Sequence, residues 1–274
     1  ITPYGKSRKE RGIGFRDYDI STHTFGPVIF CHLQYDINGQ RKKVLLTNDN
    51  ICKFADEIRG TREGYHNIGD YPVFNTVKEA NGYLYTIMSF VSSSTNHTLS
   101  PVILRSEDKG LSWEYHTTIG ELYDEECIWE VGWDISDNGI IYLMTRPNHS
   151  GMVHCFSYDI RELTFSSPAL FYDWNAEGSR PFVYCKDANV YWLQNVFPRL
   201  DRVSRTRMRI VKTDNNMNAI NSADIAVRNG ITYFSIFESF GKQFILYTGD
   251  SQGNAPQHKG DIAIIEITDL FKKL

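Results

Sequence analysis

The sequence lacks most of the features that announce a function. Among its 274 residues no apolar run approaches the roughly 18 to 20 residues of a membrane-spanning helix, and the opening ITPYGKSRKER has no apolar signal core, so neither anchor nor signal is expected. Charge of one sign is also missing: 29 Lys and Arg face 33 Asp and Glu, a net charge of -4, which excludes a global electrostatic reason to bind nucleic acid or insert at a membrane surface. There are five cysteines (Cys31, Cys52, Cys127, Cys155 and Cys185) with no CxxC or CxxH spacing. A zinc site is therefore not expected, and the odd count argues against a complete disulfide framework. Helical periodicity is scarce, confined to about Asn50 to Ile58 and the tail DLFKKL.

What remains is apolar and β-rich. With 41% hydrophobic and 14% aromatic residues, the chain has enough material for a full core. Segments such as GYLYTIMSF, GIIYLMT, NVYWLQNVF and GITYFSIF are rich in β-branched and aromatic residues and bounded by Gly, Asn and Asp. Each follows another apolar strand across an Asn- or Gly-containing turn, as in YPVFNTVKEANGYLYTIM and IWEVGWDISDNGIIYLM, and GIGFRDYDISTHTFGPVIFCHL is a more divergent pair. Repetition at such a period is the signature of a blade or solenoid architecture.

A hydroxyl-x-Asp turn supports the repeat. It occurs as Thr47-Asn48-Asp49, Ser106-Glu107-Asp108, Ser157-Tyr158-Asp159 and Thr248-Gly249-Asp250, with Lys212-Thr213-Asp214 as a shifted form. The expected fold is an all-β β-propeller of five four-stranded blades over residues 1–274, at about 10–60, 65–120, 122–175, 176–222 and 223–270, with six blades as the alternative.

The fullest copy is SEDKGLSW. Ser106 and Asp108 can accept backbone hydrogen bonds, Gly110 supplies positive φ, and Trp113 anchors the next strand. This spacing resembles the Asp box, or BNR repeat, of sialidase-like propellers, in which the turn is structural. The resemblance implies a propeller with its ligand site at the opposite ends of the strands. True sialidases carry an arginine triad, for which Arg16, Arg180 and one arginine of 202–209 are the candidates, but the Arg-Ile-Pro motif is absent. FRDYD and the acids before Cys127 are also similar to motifs of five-bladed furanosidase-type hydrolases, without that group's Asn-Asp-Pro-Asn-Gly. That resemblance implies Asp17, Asp70 and Glu126 as catalytic carboxylates.

The segments before each inner strand combine carboxylates with flat rings, the combination a sugar needs for its hydroxyl edge and its C–H face. Arg16, Tyr71, Trp129, Trp174, Glu177 and Arg180 are the candidate ligand-binding residues there. Arg205 and Arg207 join them from PRLDRVSRTRMR, where alternation sets Arg205, Arg207 and Arg209 on one face, either as an anion site or as a solvated edge held by neighbouring acids. No metal or cofactor is expected.

The expectation is carbohydrate recognition at the central face of a propeller, as a receptor-binding or adhesin domain such as that of a phage tail fibre, with glycoside hydrolysis as the alternative. The partner would be a glycan, an anionic cell-surface glycan included, and the setting extracellular, cell-surface or virion-associated.

Overall fold

Short runs of alternating apolar residues broken by turn formers become strands joined by tight turns. The computed structural model describes residues 2–4, 12–59, 71–91, 99–119, 131–145, 152–166, 169–172, 181–196, 207–226, 231–250 and 260–274. The chain divides into two units, 1–128 and 129–274, each taken by itself below.

The first unit contains β1 (Thr2–Tyr4), β2 (Gly12–Phe15), β3 (Tyr18–Asp19), β4 (Thr24–Phe25), β5 (Ile29–Phe30), β6 (His32–Ile37), β7 (Gln40–Leu45), α1 (Asn48–Arg59), β8 (Tyr71–Phe74), β9 (Lys78–Ala80), β10 (Tyr83–Val91), β11 (Leu99–Ser106) and β12 (Ser112–Thr118). β8 to β12 form an antiparallel meander, and β12 then pairs in parallel with β6, giving a seven-stranded sheet in the order β7-β6-β12-β11-β10-β8, with β9 also on β10. Residues 10–60, expected as a blade of their own, are built differently. β6 and β7 widen the neighbouring meander, while β1, β2 and β5 form a small separate sheet.

The Thr47-Asn48-Asp49 motif is likewise not a strand turn. The Thr47 hydroxyl accepts from the Asn50 N–H at 3.3 Å, and the chain continues as α1. A hydroxyl-x-acid sequence suits a helix N-terminus as well as a turn, and here Ile51, Phe54, Ala55 and Ile58 recur at helical spacing. Phe54 of α1 is buried between Tyr35 and Tyr115, with ring centroids 4.8 and 5.3 Å away. The helical stretch Asn50 to Ile58 is thus present, and so is the helical tail.

The second unit repeats the meander. One sheet comprises β13 (Val131–Ile135), β14 (Ile140–Thr145), β15 (Met152–Asp159), β16 (Thr164–Phe165) and β17 (Ala169–Tyr172), and the next β18 (Phe182–Lys186), β19 (Asn189–Val196), β20 (Arg207–Thr213) and β21 (Ala219–Ala226). The last has three strands, β22 (Ile231–Ser239), β23 (Lys242–Asp250) and β24 (Gly260–Glu266), followed by α2 (Thr268–Lys273). Apolar residues alternate to both faces of β19. Val190 and Trp192 pack with Tyr142 and Met144 of the preceding sheet, whereas Tyr191 and Leu193 pack with Ile236 and Ile245 of the following one. A sheet buried on both faces needs this unbroken apolar run.

The inner strands of these sheets approach closely. A Cβ on Gly132 would lie 2.4 Å from the Pro181 carbonyl oxygen. Beside it, the Cys185 N–H donates to the buried Asp134 carboxylate at 2.9 Å, and Lys186 pairs with Glu238 of β22.

Candidate functional site

In each meander the two ends of the strands differ. One end carries tight turns: Asn81-Gly82, 107–111, 136–139, 160–163, Asp187-Ala188, 214–218 and Phe240-Gly241, with positive φ at Asn81, Gly82, Gly110, Gly139, Asp187, Ala188, Phe240 and Gly241. The other end emits the longer connections 92–98, 146–151, 197–206 and 251–259, and the inner strands β8, β13, β18 and β22 begin there.

At the tight-turn end, the Ser106–Ser112 turn bonds to itself. Ser106 Oγ accepts from the Gly110 N–H at 2.9 Å and donates to Asp108 Oδ1 at 2.8 Å, which in turn accepts from the Ser112 N–H at 2.7 Å. Gly110 sits at φ +91° over the buried Trp113 ring. Burial alone would raise the Asp108 pKa, but the hydrogen bonds from Ser112 and Ser106 outweigh it and hold the carboxyl below its ordinary value. Ser106, Asp108, Gly110 and Trp113 are thus fully used within the turn.

Asp159 and Asp214 cap the equivalent turns. Asp159 Oδ1 accepts from the Arg161 N–H at 2.8 Å, and the Arg161 side chain holds the carboxyl down at about 2. Asp214 Oδ1 accepts from the N–H groups of Asn216 and Asn218, both at 2.8 Å. Asp250 differs: it ends the second strand of its sheet, at the long-connection end, and so is out of phase. The matching place after the third strand holds Thr268-Asp269, 55 residues beyond Thr213-Asp214, where α2 starts instead of a turn. Constant spacing of 51, 55 and 55 residues from Asp108 was the sequence signal for it.

The predicted site residues divide between the ends. Tyr71 is the first residue of β8, opposite Val91 at the long-connection end. Arg207 is the exposed first residue of β20 at the same kind of end, opposite Val196 and Ala226. Arg209, two residues on, pairs with its cross-strand neighbour Asp224 through two contacts of 2.7 and 3.2 Å, so this part of the arginine stripe is an acid-neutralised edge. Asp70, Glu126, Trp129, Trp174, Glu177, Arg180 and Arg205 lie outside the described residues.

Asp17 and Arg16 are placed elsewhere. β6 starts at the tight-turn end, His32 facing Ser112, and the His32 N–H donates to the Leu111 carbonyl at 2.9 Å. β5 precedes His32, and β2 runs antiparallel to it, Gly14 opposite Phe30 and Phe15 opposite Ile29. Arg16 and Asp17 follow β2 and are exposed, and the Asp17 carbonyl accepts from the Gly26 N–H at 2.8 Å. Asp17 follows the small β1-β2-β5 sheet, which is separate from the sheet in which Tyr71 begins β8, and Asp70 lies outside the described residues.

Another charge cluster, among the described residues of the first unit, centres on Glu114 of β12. Glu114 is held by Arg105 and by Arg41, each at 2.8 Å, and Arg41 also reaches Asp36 at 2.8 Å. Arg105 lies 5.3 Å from the Tyr83 ring centroid. Burial would raise the Glu114 pKa, but hydrogen bonds from Arg105 and Arg41 prevail and lower it. Every charge here has an opposite partner, so the cluster ties β7, β12 and β11 together. Among the described residues no three His, Cys, Asp or Glu side chains are grouped to hold a metal ion, and no helix is long and apolar enough to cross a membrane.

No protein-family model matches the chain, and no curated protein does. Solved structures do. An alpha-L-arabinanase from Penicillium chrysogenum complexed with arabinobiose superposes with a TM-score of 0.54 at 12% identity, covering 72% of this chain and 62% of that one. An exo-beta-1,3-galactanase from Clostridium thermocellum gives 0.53 at 10%, covering 96% and 55%. Another, from Phanerochaete chrysosporium with galactose, gives 0.51 at 11%, covering 68% and 44%. The chain spans less than two thirds of each of these proteins. Likeness at such identity bears on architecture alone: the fold is an all-β β-propeller.

Proposed function

We propose that the protein is a glycoside hydrolase acting at the long-connection ends of its sheets. The observation that carries this reading is the fold likeness to propellers whose names are arabinanase and galactanase. Supporting it, the acids Asp70 and Glu126 stand in the sequence just before the inner strands β8 and β13. Glycosidic hydrolysis needs two carboxyl groups about 5 to 10 Å apart, one to protonate the leaving oxygen and one to attack or to activate water. Asp70 and Glu126 are the proposed pair, and Asp17 is left out of it.

Tyr71, Trp129 and Trp174 are proposed to stack on sugar faces, with Glu177, Arg180, Arg205 and Arg207 binding hydroxyl or acidic groups. The Ser106–Trp113 turn is read as an Asp box, and its hydrogen bonds support that reading. Recognition of a cell-surface glycan without turnover is the second reading, favoured by the absence of the Asn-Asp-Pro-Asn-Gly motif from the sequence.

A glycan array, with reducing-sugar release followed on every hit, tests both. Binding accompanied by release is expected. Binding without release supports recognition alone, and no binding to any glycan overturns the proposal.

A further inference from the structure

We propose that the second unit carries another ligand site, at the tight-turn end between the β13–β17 and β18–β21 sheets, that takes a neutral sugar ring or a polyol of that size. A pocket of about 190 Å³ opens there, between the turns at 136–139, Asp187-Ala188 and 214–218. Ser136, Asn138, Tyr142, Cys185, Asn189 and Asn215 line it. Its volume is below the roughly 300–1,000 Å³ of drug-sized sites, which restricts it to about one ring.

Tyr142 is the observation that points to a ligand. Its side chain is only 2% exposed, yet its hydroxyl has no hydrogen-bond partner among the described residues. Burial raises its pKa, so the phenol stays neutral and keeps a proton to donate. Tyr142 lines the pocket, so a ligand oxygen there could accept its proton without displacing a protein partner.

The rest of the lining selects the ligand class. Ser136 Oγ is spent on Asn138 Oδ1 and on the Ile140 backbone, which leaves the Asn138 amide NH2, the Asn189 Oδ1 and both groups of Asn215 as donors and acceptors to match sugar hydroxyls, which are also both. Val190 adds an apolar wall suited to a ring face. Anions are disfavoured: the one cation lining the pocket, Lys186, is engaged by Glu238, and Asp137 and Asp187 stand at the rim. The pocket floor is well supported, since the neighbouring Cys185 backbone is held by buried Asp134.

This site does not depend on the hydrolase reading and can fail without affecting it. The test uses the full chain with galactose and arabinose as probes. Binding is followed by amide chemical shifts of residues 136–138 and 186–190, and by alkylation of Cys185 located by mass spectrometry. Both readouts are local, so sugar bound at the long-connection end leaves them unchanged. Saturable shifts and slowed Cys185 alkylation are expected. Tyr142→Phe should weaken binding about three- to tenfold, the worth of one hydrogen bond, with the melting temperature kept because the hydroxyl has no partner among the described residues. Asn215→Ala, an exposed residue with no hydrogen bond among the described residues, should also weaken binding and guards against a folding defect in the first variant. Unchanged shifts and alkylation with either sugar, or unaltered affinity in both variants, would overturn the proposal.

Discussion

Gly110 shows how one backbone angle organises a turn. With φ at +91°, any residue with a Cβ is strained there whatever the space, although the nearest Trp113 ring atom would be a tolerable 3.6 Å away. Gly110→Ala should therefore cost about 1–2 kcal/mol, read as a lower urea midpoint with an unchanged slope. Glu114 makes a different prediction. Because its pKa is depressed in the folded chain, its contribution is present above the ordinary glutamate value of about 4.3 and disappears as the pH falls through the lower folded value. Glu114→Gln should flatten the loss of stability over that acid window, measured as urea midpoints against pH, whereas a parallel decline in both proteins would show that Arg105 and Arg41 contribute nothing through it.

At the level of elements, the turns were legible in the sequence and their phase was not. Asn-Gly, Asp-Ala and Ser-x-Asp-x-Gly have few backbone solutions, so the tight turns fall where alternation breaks. Thr47-Asn48-Asp49 and Thr248-Gly249-Asp250 satisfy the same short pattern by accident, one at a helix start and one at the wrong end of a strand. The place of Asp17 after the separate β1-β2-β5 sheet was hidden for a related reason. Which end of a sheet a strand leaves depends on register, and here on the parallel pairing of β6 with β12, a contact between residues about 80 apart that no local pattern reports. Close sheet approach was equally hidden until Gly132 met Pro181. Gly132→Ala places a Cβ 2.4 Å from backbone, so it should push β13 from β18 and cost about 1–3 kcal/mol or more by thermal melting. Thr47→Ala, by contrast, removes a helix cap and should cost about 1 kcal/mol.

For the molecule as a whole, the repeated meander explains both the fold and the search for the site. Sheets with apolar faces on both sides leave strand ends for chemistry, and at the tight-turn end Asp108, Asp159 and Asp214 are taken up by their own turns. Asp70 and Glu126 lie outside the described residues, and their assignment comes from sequence position just before the inner strands β8 and β13, which begin at the other end. The most direct test is release of reducing ends from arabinan- and galactan-derived oligosaccharides by the wild-type chain and by Asp70→Asn, Glu126→Gln and Asp17→Asn. The wild type should hydrolyse at least one of them, Asp70→Asn and Glu126→Gln should each lose about 10²-fold or more, and Asp17→Asn should keep near-normal activity. Activity that survives Asp70→Asn and Glu126→Gln but is abolished by Asp17→Asn would contradict the account.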